Sequence, residues 1–153
     1  MHKFLPLCLS LLLLMGCTPE KEVQTSINDV ILPDVLDYDI AKDDFIKWVD
    51  VFNQKDKRYI VYFYSPYCGY CRTVKEDILS YYLLKLEPFY LVDAIAENAV
   101  FKSNDGKIIG TNKLEDLYIL GTPFLLEITN YRVTNYYAGV ESIRLYISTR
   151  KDI

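Results

Sequence analysis

Residues 59–71 read YIVYFYSPYCGYC. The first six are aromatic or β-branched, with charge only outside them at Lys57 and Arg58, the composition of a strand buried on both faces. Ser65-Pro66-Tyr67 breaks that strand, because proline supplies no ladder N–H. A long helix is predicted next, from about Cys68 to Leu86, with Cys71, Val74, Ile78, Tyr81 and Tyr82 facing inward. Cys68 then stands at a helix N-terminus, where unpaired backbone N–H groups and the macrodipole favour a thiolate. Cys71 lies one turn in, close enough to close a disulfide with Cys68. A bare C-x-x-C is a weak signal, since zinc knuckles and chance also produce it.

Outward from this stretch the same reasoning places the other elements. Residues 89–92 form a second apolar strand, ending at Asp93. Residues 94–110 carry no dominant period, and Asn104-Asp105-Gly106 marks a turn. Thr111 or Asn112 is positioned to cap a short helix through Leu120. Pro123 opens a strand over 124–129, and Asn130-Tyr131 turns it into another over 132–137. After Gly139 a last helix covers 140–148. Toward the N-terminus, Phe45, Trp48, Val49 and Phe52 fall at i, i+3, i+4 and i+7, an additional amphipathic helix. Residues 31–36 are expected to lie extended on the domain. The order is α/β with a central mixed β-sheet flanked by helices.

The start of the chain reads as an address. His2 and Lys3 precede a greasy run from Phe4 to Met15. At about 12 residues that run is too short for a bilayer span, which needs roughly 17–25, and it fits a secretory signal. Leu14-Met15-Gly16-Cys17 resembles the bacterial lipoprotein lipobox. The resemblance implies a cut before Cys17, a lipid on its sulfur and attachment to a membrane; an ordinary cleaved signal containing a Cys is the other reading. The expected divisions are a signal over 1–16, a lipid-anchored tether over 17–36 and a domain over 37–153.

Loss of the signal changes the available chemistry. His2 is the only histidine and Cys8 leaves with it, while Cys17 becomes a thioether. Only Cys68 and Cys71 stay as thiols, and a nucleophile paired with histidine is ruled out. Two ligands are too few for a structural zinc site, so no metal is expected. Arg72 after Cys71 excludes C-x-x-C-H haem attachment. Across all 153 residues the net charge is −4, which argues against a nucleic-acid partner. Export permits a purely structural disulfide, although a bridge across two intervening residues closes a loop too small to stabilise much.

Taken with two later features, residues 59–71 resemble the strand, loop and active-site helix of thioredoxin-like proteins. Gly121-Thr122-Pro123 before a strand resembles the family's cis-proline loop, although a plain helix stop would also explain it. Tyr137-Ala138-Gly139 resembles the bend before its last helix. The resemblance implies a thioredoxin-like fold with Cys68 attacking and Cys71 resolving. It implies a cis Thr122–Pro123 bond that brings Thr122 near Cys68 and offers its backbone to an extended substrate. Gly69 and Tyr70 support the site between the cysteines, and Tyr67 and Gly121 belong to the substrate rim. No cofactor is implied beyond a redox-active Cys68–Cys71 disulfide.

Departures accompany the matches. The family's buried acidic residue, six positions before the first cysteine, is Tyr62 here. No lysine stands in 89–92 to partner it. Tyr67 replaces the usual Trp, and Gly69-Tyr70 contributes no positive charge. With 14 Tyr in the chain, Tyr59, Tyr62 and Tyr64 are expected in the packing, and Tyr67 and Tyr70 at the rim with Tyr136 and Tyr137 near the bend. The expected function is a membrane-tethered thiol–disulfide oxidoreductase exchanging disulfides with exported cysteine-containing proteins and with a membrane redox partner. It would sit outside the cytoplasm, lipid-anchored to a bacterial membrane. The alternative is a thioredoxin-fold accessory module of an export or surface system, with little redox turnover.

Overall fold

The computed structural model describes residues 36–103 and 107–151. The signal, Cys17 and most of the expected tether lie outside the described residues. Among the described residues no helix is long and apolar enough to cross a membrane.

Among the described residues, four strands form one mixed sheet. They are β1 (Arg58–Tyr64), β2 (Phe89–Asp93), β3 (Phe124–Thr129) and β4 (Arg132–Ala138), in the spatial order β2-β1-β3-β4. β1 pairs parallel with β2 and antiparallel with β3, and β3 pairs antiparallel with β4. The parallel pair needs a crossover, and α1 (Gly69–Leu83) supplies it. Asn130 and Tyr131 both take positive φ, the turn whose twist matches a two-residue hairpin. The last helix, α2 (Val140–Lys151), follows β4.

β1 is the most deeply buried strand because both of its faces are covered. Ile60, Tyr62 and Tyr64 face α1 and α2, packing with Val74, Ile78, Ile143 and Tyr146. Tyr59, Val61 and Phe63 face the other way, against Trp48, Val51, Leu117, Ile119 and Phe124. All five expected inner residues of α1 are buried. The flanking is unequal, however: both α-helices lie on one face, and short 3₁₀ turns with extended chain cover the other.

That second face accounts for two corrections. The expected helix through Phe45, Trp48, Val49 and Phe52 is absent; 3₁₀ turns at Tyr38–Asp44 and Trp48–Asp50 bracket a single bridge between Phe45 and Leu91. The chain wraps the outer edge of β2, where Ile46 N–H donates to the Leu91 carbonyl at 2.9 Å. Phe45 joins one core layer, Trp48 and Phe52 join the other, and Val49 is exposed. A sheet edge leaves backbone groups unpaired, and satisfying them prevailed over helix periodicity. The helix expected through Leu120 shrinks to a 3₁₀ turn at Leu114–Asp116. Beyond it the chain runs extended, and Ile119 exchanges backbone hydrogen bonds with Val100 and Lys102. Leu117, Tyr118 and Ile119 are all buried in succession, which no amphipathic helix allows.

Candidate active site

Strand β1 ends at Tyr64, and its extension delivers the loop that carries the cysteines. Ser65 is buried and organises this loop: its carbonyl accepts from Cys68 N–H at 3.1 Å, and its hydroxyl accepts from Tyr67 N–H at 3.2 Å. Cys68 occupies the N-cap of α1 with extended backbone, and its sulfur accepts from Cys71 N–H at 3.2 Å. Side-chain acceptors at this position satisfy an N–H that the helix cannot. Here a sulfur fills that role. The helix-start thiolate site read from the sequence therefore has a defined donor.

Across the loop, the Cys68 thiol donates to the Thr122 carbonyl at 3.1 Å, joining residues 54 positions apart. The Thr122–Pro123 bond is cis, as expected. Gly139 N–H donates to the Pro123 carbonyl at 3.0 Å, which ties the bend before α2 to the proline loop. Gly139 has φ +81, a conformation that other residues adopt only with strain. Cys68, Thr122, Pro123 and Gly139 thus form one connected unit, brought together from three parts of the sequence.

The two thiols have opposite environments. Both are free in the structure. Burial pushes Cys68 up, but hydrogen bonds from the Cys71 thiol, the Thr122 side chain and the backbone of Cys71 and Tyr70 outweigh it. Cys68 therefore lies below the ordinary thiol value. For Cys71 burial dominates, and its hydrogen bond to Cys68 adds to it. Contacts with the Ser65 backbone and the Thr122 side chain offset only part, leaving Cys71 pushed up to about 11. Cys71 is 1% exposed, so it is reached through Cys68 or through a narrow opening. One thiol is poised to ionise and the other is held neutral behind it.

Around this pair, Tyr67 is 86% and Tyr70 71% exposed, large apolar surfaces flanking the cysteines. Gly69 is exposed as well, and Gly121 is half-buried with φ +152. Tyr136 and Tyr137 are packing residues: Tyr136 stacks on Phe124 at 5.5 Å and Tyr137 meets Tyr146 at 4.6 Å. Tyr59, Tyr62 and Tyr64 are buried, as expected. Sequence reasoning missed Tyr38, which stacks on Tyr64 with ring centroids 4.0 Å apart. Nothing in the local pattern around Tyr38 ties it to a strand more than twenty positions downstream.

No protein-family model and no curated protein matches the chain. Solved structures with a similar shape include thioredoxin f2 from Chlamydomonas reinhardtii, 16% identical over 71% of this chain and 94% of that one, with a TM-score of 0.49. Mitochondrial thioredoxin 3 from Saccharomyces cerevisiae in its oxidised form is 10% identical, over 71% and 93%, with a TM-score of 0.49. Thioredoxin from Schistosoma mansoni is 19% identical, over 71% and 94%, with a TM-score of 0.46. A strand leading into Cys68 at a helix start, a cis proline loop against it and a glycine bend before α2 are this chain's own features, and by them its fold is thioredoxin-like.

Proposed function

We propose that this protein is a thiol–disulfide oxidoreductase that works through Cys68 and Cys71 on exported cysteine-containing proteins, held at a membrane by lipid on Cys17. The observation that carries the reading is the Cys68 sulfur. It caps α1, accepts the Cys71 N–H and touches the Thr122 carbonyl, with the second thiol buried behind it. A purely structural bridge has no use for one ionisable and one neutral thiol.

The chemistry follows from that asymmetry. The Cys68 thiolate attacks one sulfur of a substrate disulfide, forming a Cys68–substrate bond, and the other substrate sulfur leaves with the electron pair. Cys71, once deprotonated, attacks the Cys68 sulfur. The Cys68–Cys71 bond forms, the substrate bond breaks and the second substrate sulfur leaves as a thiolate. The protein has lost two electrons and the substrate has gained them. Run in reverse, the same steps oxidise a substrate dithiol. A membrane redox partner would restore the starting state. Thr122 offers its backbone beside a proline that has no N–H of its own, so an extended substrate segment can pair with the Thr122 backbone. The exposed Tyr67 and Tyr70 supply amphipathic contact area on either side.

Cys71→Ala should trap a mixed disulfide with a cysteine-containing client, and Cys68→Ala should trap none. Alkylation of the reduced protein with limiting reagent should label Cys68 first. Preferential labelling of Cys71 would overturn the assignment. The lipid anchor is supported by Leu14-Met15-Gly16-Cys17 and is tested separately. Cys17→Ser should abolish partitioning into the detergent phase; a wild-type protein found in the aqueous phase would contradict it.

A further inference from the structure

Resolution by Cys71 demands a proton's removal from a thiol that the fold holds neutral. The mature chain expected from the sequence has no histidine to take it. Among the described residues, two groups near Cys71 stand out. The Tyr62 and Tyr38 hydroxyls are both buried and lie in hydrogen-bonding contact with each other, with no carboxylate or backbone partner of good geometry. Tyr62 is wholly buried on β1, on the face that packs against α1, in the same core layer as Cys71 and Tyr38. The two hydroxyls lie within electrostatic reach of each other and of both cysteines. A buried hydroxyl whose hydrogen bonding is incomplete is destabilising. Two phenols matched by little but each other, in the core layer of one reactive thiol, call for an explanation that packing alone does not supply.

A cavity of about 230 Å³ adjoins this cluster, lined by Asp37, Tyr38, Ser65, Pro66, Cys71, Arg72 and Lys75. The cavity has room for several waters, each of which needs roughly 30 Å³, and Asp37, Ser65, Arg72 and Lys75 give them polar partners. Asp37, Pro66 and Arg72 are exposed, so the cavity has solvent at its rim. Tyr38 forms one wall and is fixed in place: it stacks on Tyr64, and Lys75 Nζ stands 5.6 Å over its ring while pairing with Asp37 at 3.2 Å. Buried Cys71 is therefore joined to solvent by a route separate from Cys68.

We propose that the Tyr62 and Tyr38 hydroxyls donate hydrogen bonds to the Cys71 sulfur as its thiolate forms, and that the adjoining cavity carries the released proton to solvent. This deepens the oxidoreductase reading and rests on it. The step balances. The Cys71 proton passes to water, the Cys71 sulfur bonds to the Cys68 sulfur, and the Cys68–substrate bond breaks. The departing substrate sulfur keeps the electron pair and takes a proton from bulk water. Burial holds both phenols protonated well above their ordinary range, so they act as donors and not as bases. The other ionisable groups on this side are Cys68, Tyr64, Asp37, Asp39, Asp93, Lys75 and Arg72. From α2, Tyr146 is turned to Glu87 and Arg144 to Asp77.

The test uses the full chain and a dithiobis-nitrobenzoate as the disulfide substrate. Cys68 attack releases the first coloured thiolate, and Cys71 resolution releases the second. Tyr62→Phe keeps the ring and removes the donor. It should leave the first release within twofold of wild type and slow the second about tenfold at neutral pH, the loss of a charge-assisted hydrogen bond. Tyr38→Phe should act in the same direction. In a Cys68→Ser background, Tyr62→Phe should raise the midpoint of Cys71 alkylation by about one pH unit. An unchanged second release with an unshifted midpoint would overturn the proposal. A wild-type protein that never gives the second release would overturn the oxidoreductase reading instead, and the alkylation midpoint would still decide the role of the hydroxyls.

Discussion

The two ends of the sheet bury the same kind of side chain and treat it differently. At the end away from the cysteines, Tyr81 and Tyr146 both donate to Glu87, at 2.6 and 2.7 Å, and Arg58 lies 3.8 Å from the same carboxylate. From the bend near the proline loop Tyr137 reaches back to donate to Glu127 at 3.3 Å, and Arg150 pairs with Glu127 and faces the Tyr146 ring. At the cysteine end, Tyr38 and Tyr62 have no such carboxylate, and their hydroxyls contact each other without a bond of good geometry. A satisfied buried network fixes a core, and an unsatisfied one marks a place where stability has given way to chemistry. The contrast assigns holding to one end and reacting to the other.

Cys68→Ala should have the largest effect, reducing exchange to the uncatalysed rate while the circular dichroism spectrum and melting temperature stay near wild type. A large loss of stability would place Cys68 in the framework and erase the contrast. Glu87→Leu probes the holding end. It strands the Tyr81 and Tyr146 hydroxyls and should cost about 2–5 kcal/mol in urea denaturation, because the lost hydrogen bonds are to a charged group. The alkylation rate of Cys68 should not move.

The matching change at the reacting end is Tyr62→Phe. Removing a hydroxyl that has only a poorly aligned contact with Tyr38 should leave stability within about 1 kcal/mol of wild type. A loss comparable to that of Glu87→Leu would mean that Tyr62 is a partner in the framework after all.

The smallest effect is on pH dependence. Cys71 has an ordinary value of 9.0 and is pushed up to about 11 by burial in the folded state. Between these values the unfolded chain has lost a proton that the folded chain keeps, so stability is full below the lower value and falls as pH rises through the higher one. Buried tyrosines with raised values contribute with the same sign at higher pH, so the comparison is between the reduced protein and Cys71→Ser. The reduced wild type should lose more stability over this window. Cys68 is shifted the opposite way, and its alkylation should reach half-maximal rate below the pH of an ordinary thiol.

The reacting end was the more legible in the sequence, for a physical reason. YIVYFY, the break at Ser65-Pro66 and the inner face from Cys71 to Tyr82 are local signals, in which composition and period are set within a few residues. The hairpin at Asn130-Tyr131 is local too. The residues 43–52 and 111–120 also carry apolar residues at helical spacing, but Phe45 and Trp48 serve opposite faces of the sheet, and Ile119 bonds to a segment near Val100. Period alone cannot show that a stretch will be claimed by a sheet edge. The pairing of Tyr38 with Tyr62 is longer-range still. Tyr62 could be singled out only as a departure from the family pattern, and its neighbour not at all.

Equilibration of the full chain in buffers of dithiothreitol or glutathione at fixed ratios, with Cys68 and Cys71 quantified by alkylation, measures their reduction potential. A value between roughly −270 and −120 mV is expected for a pair that exchanges with substrates. A value below about −300 mV would make the bond a structural staple and contradict the account.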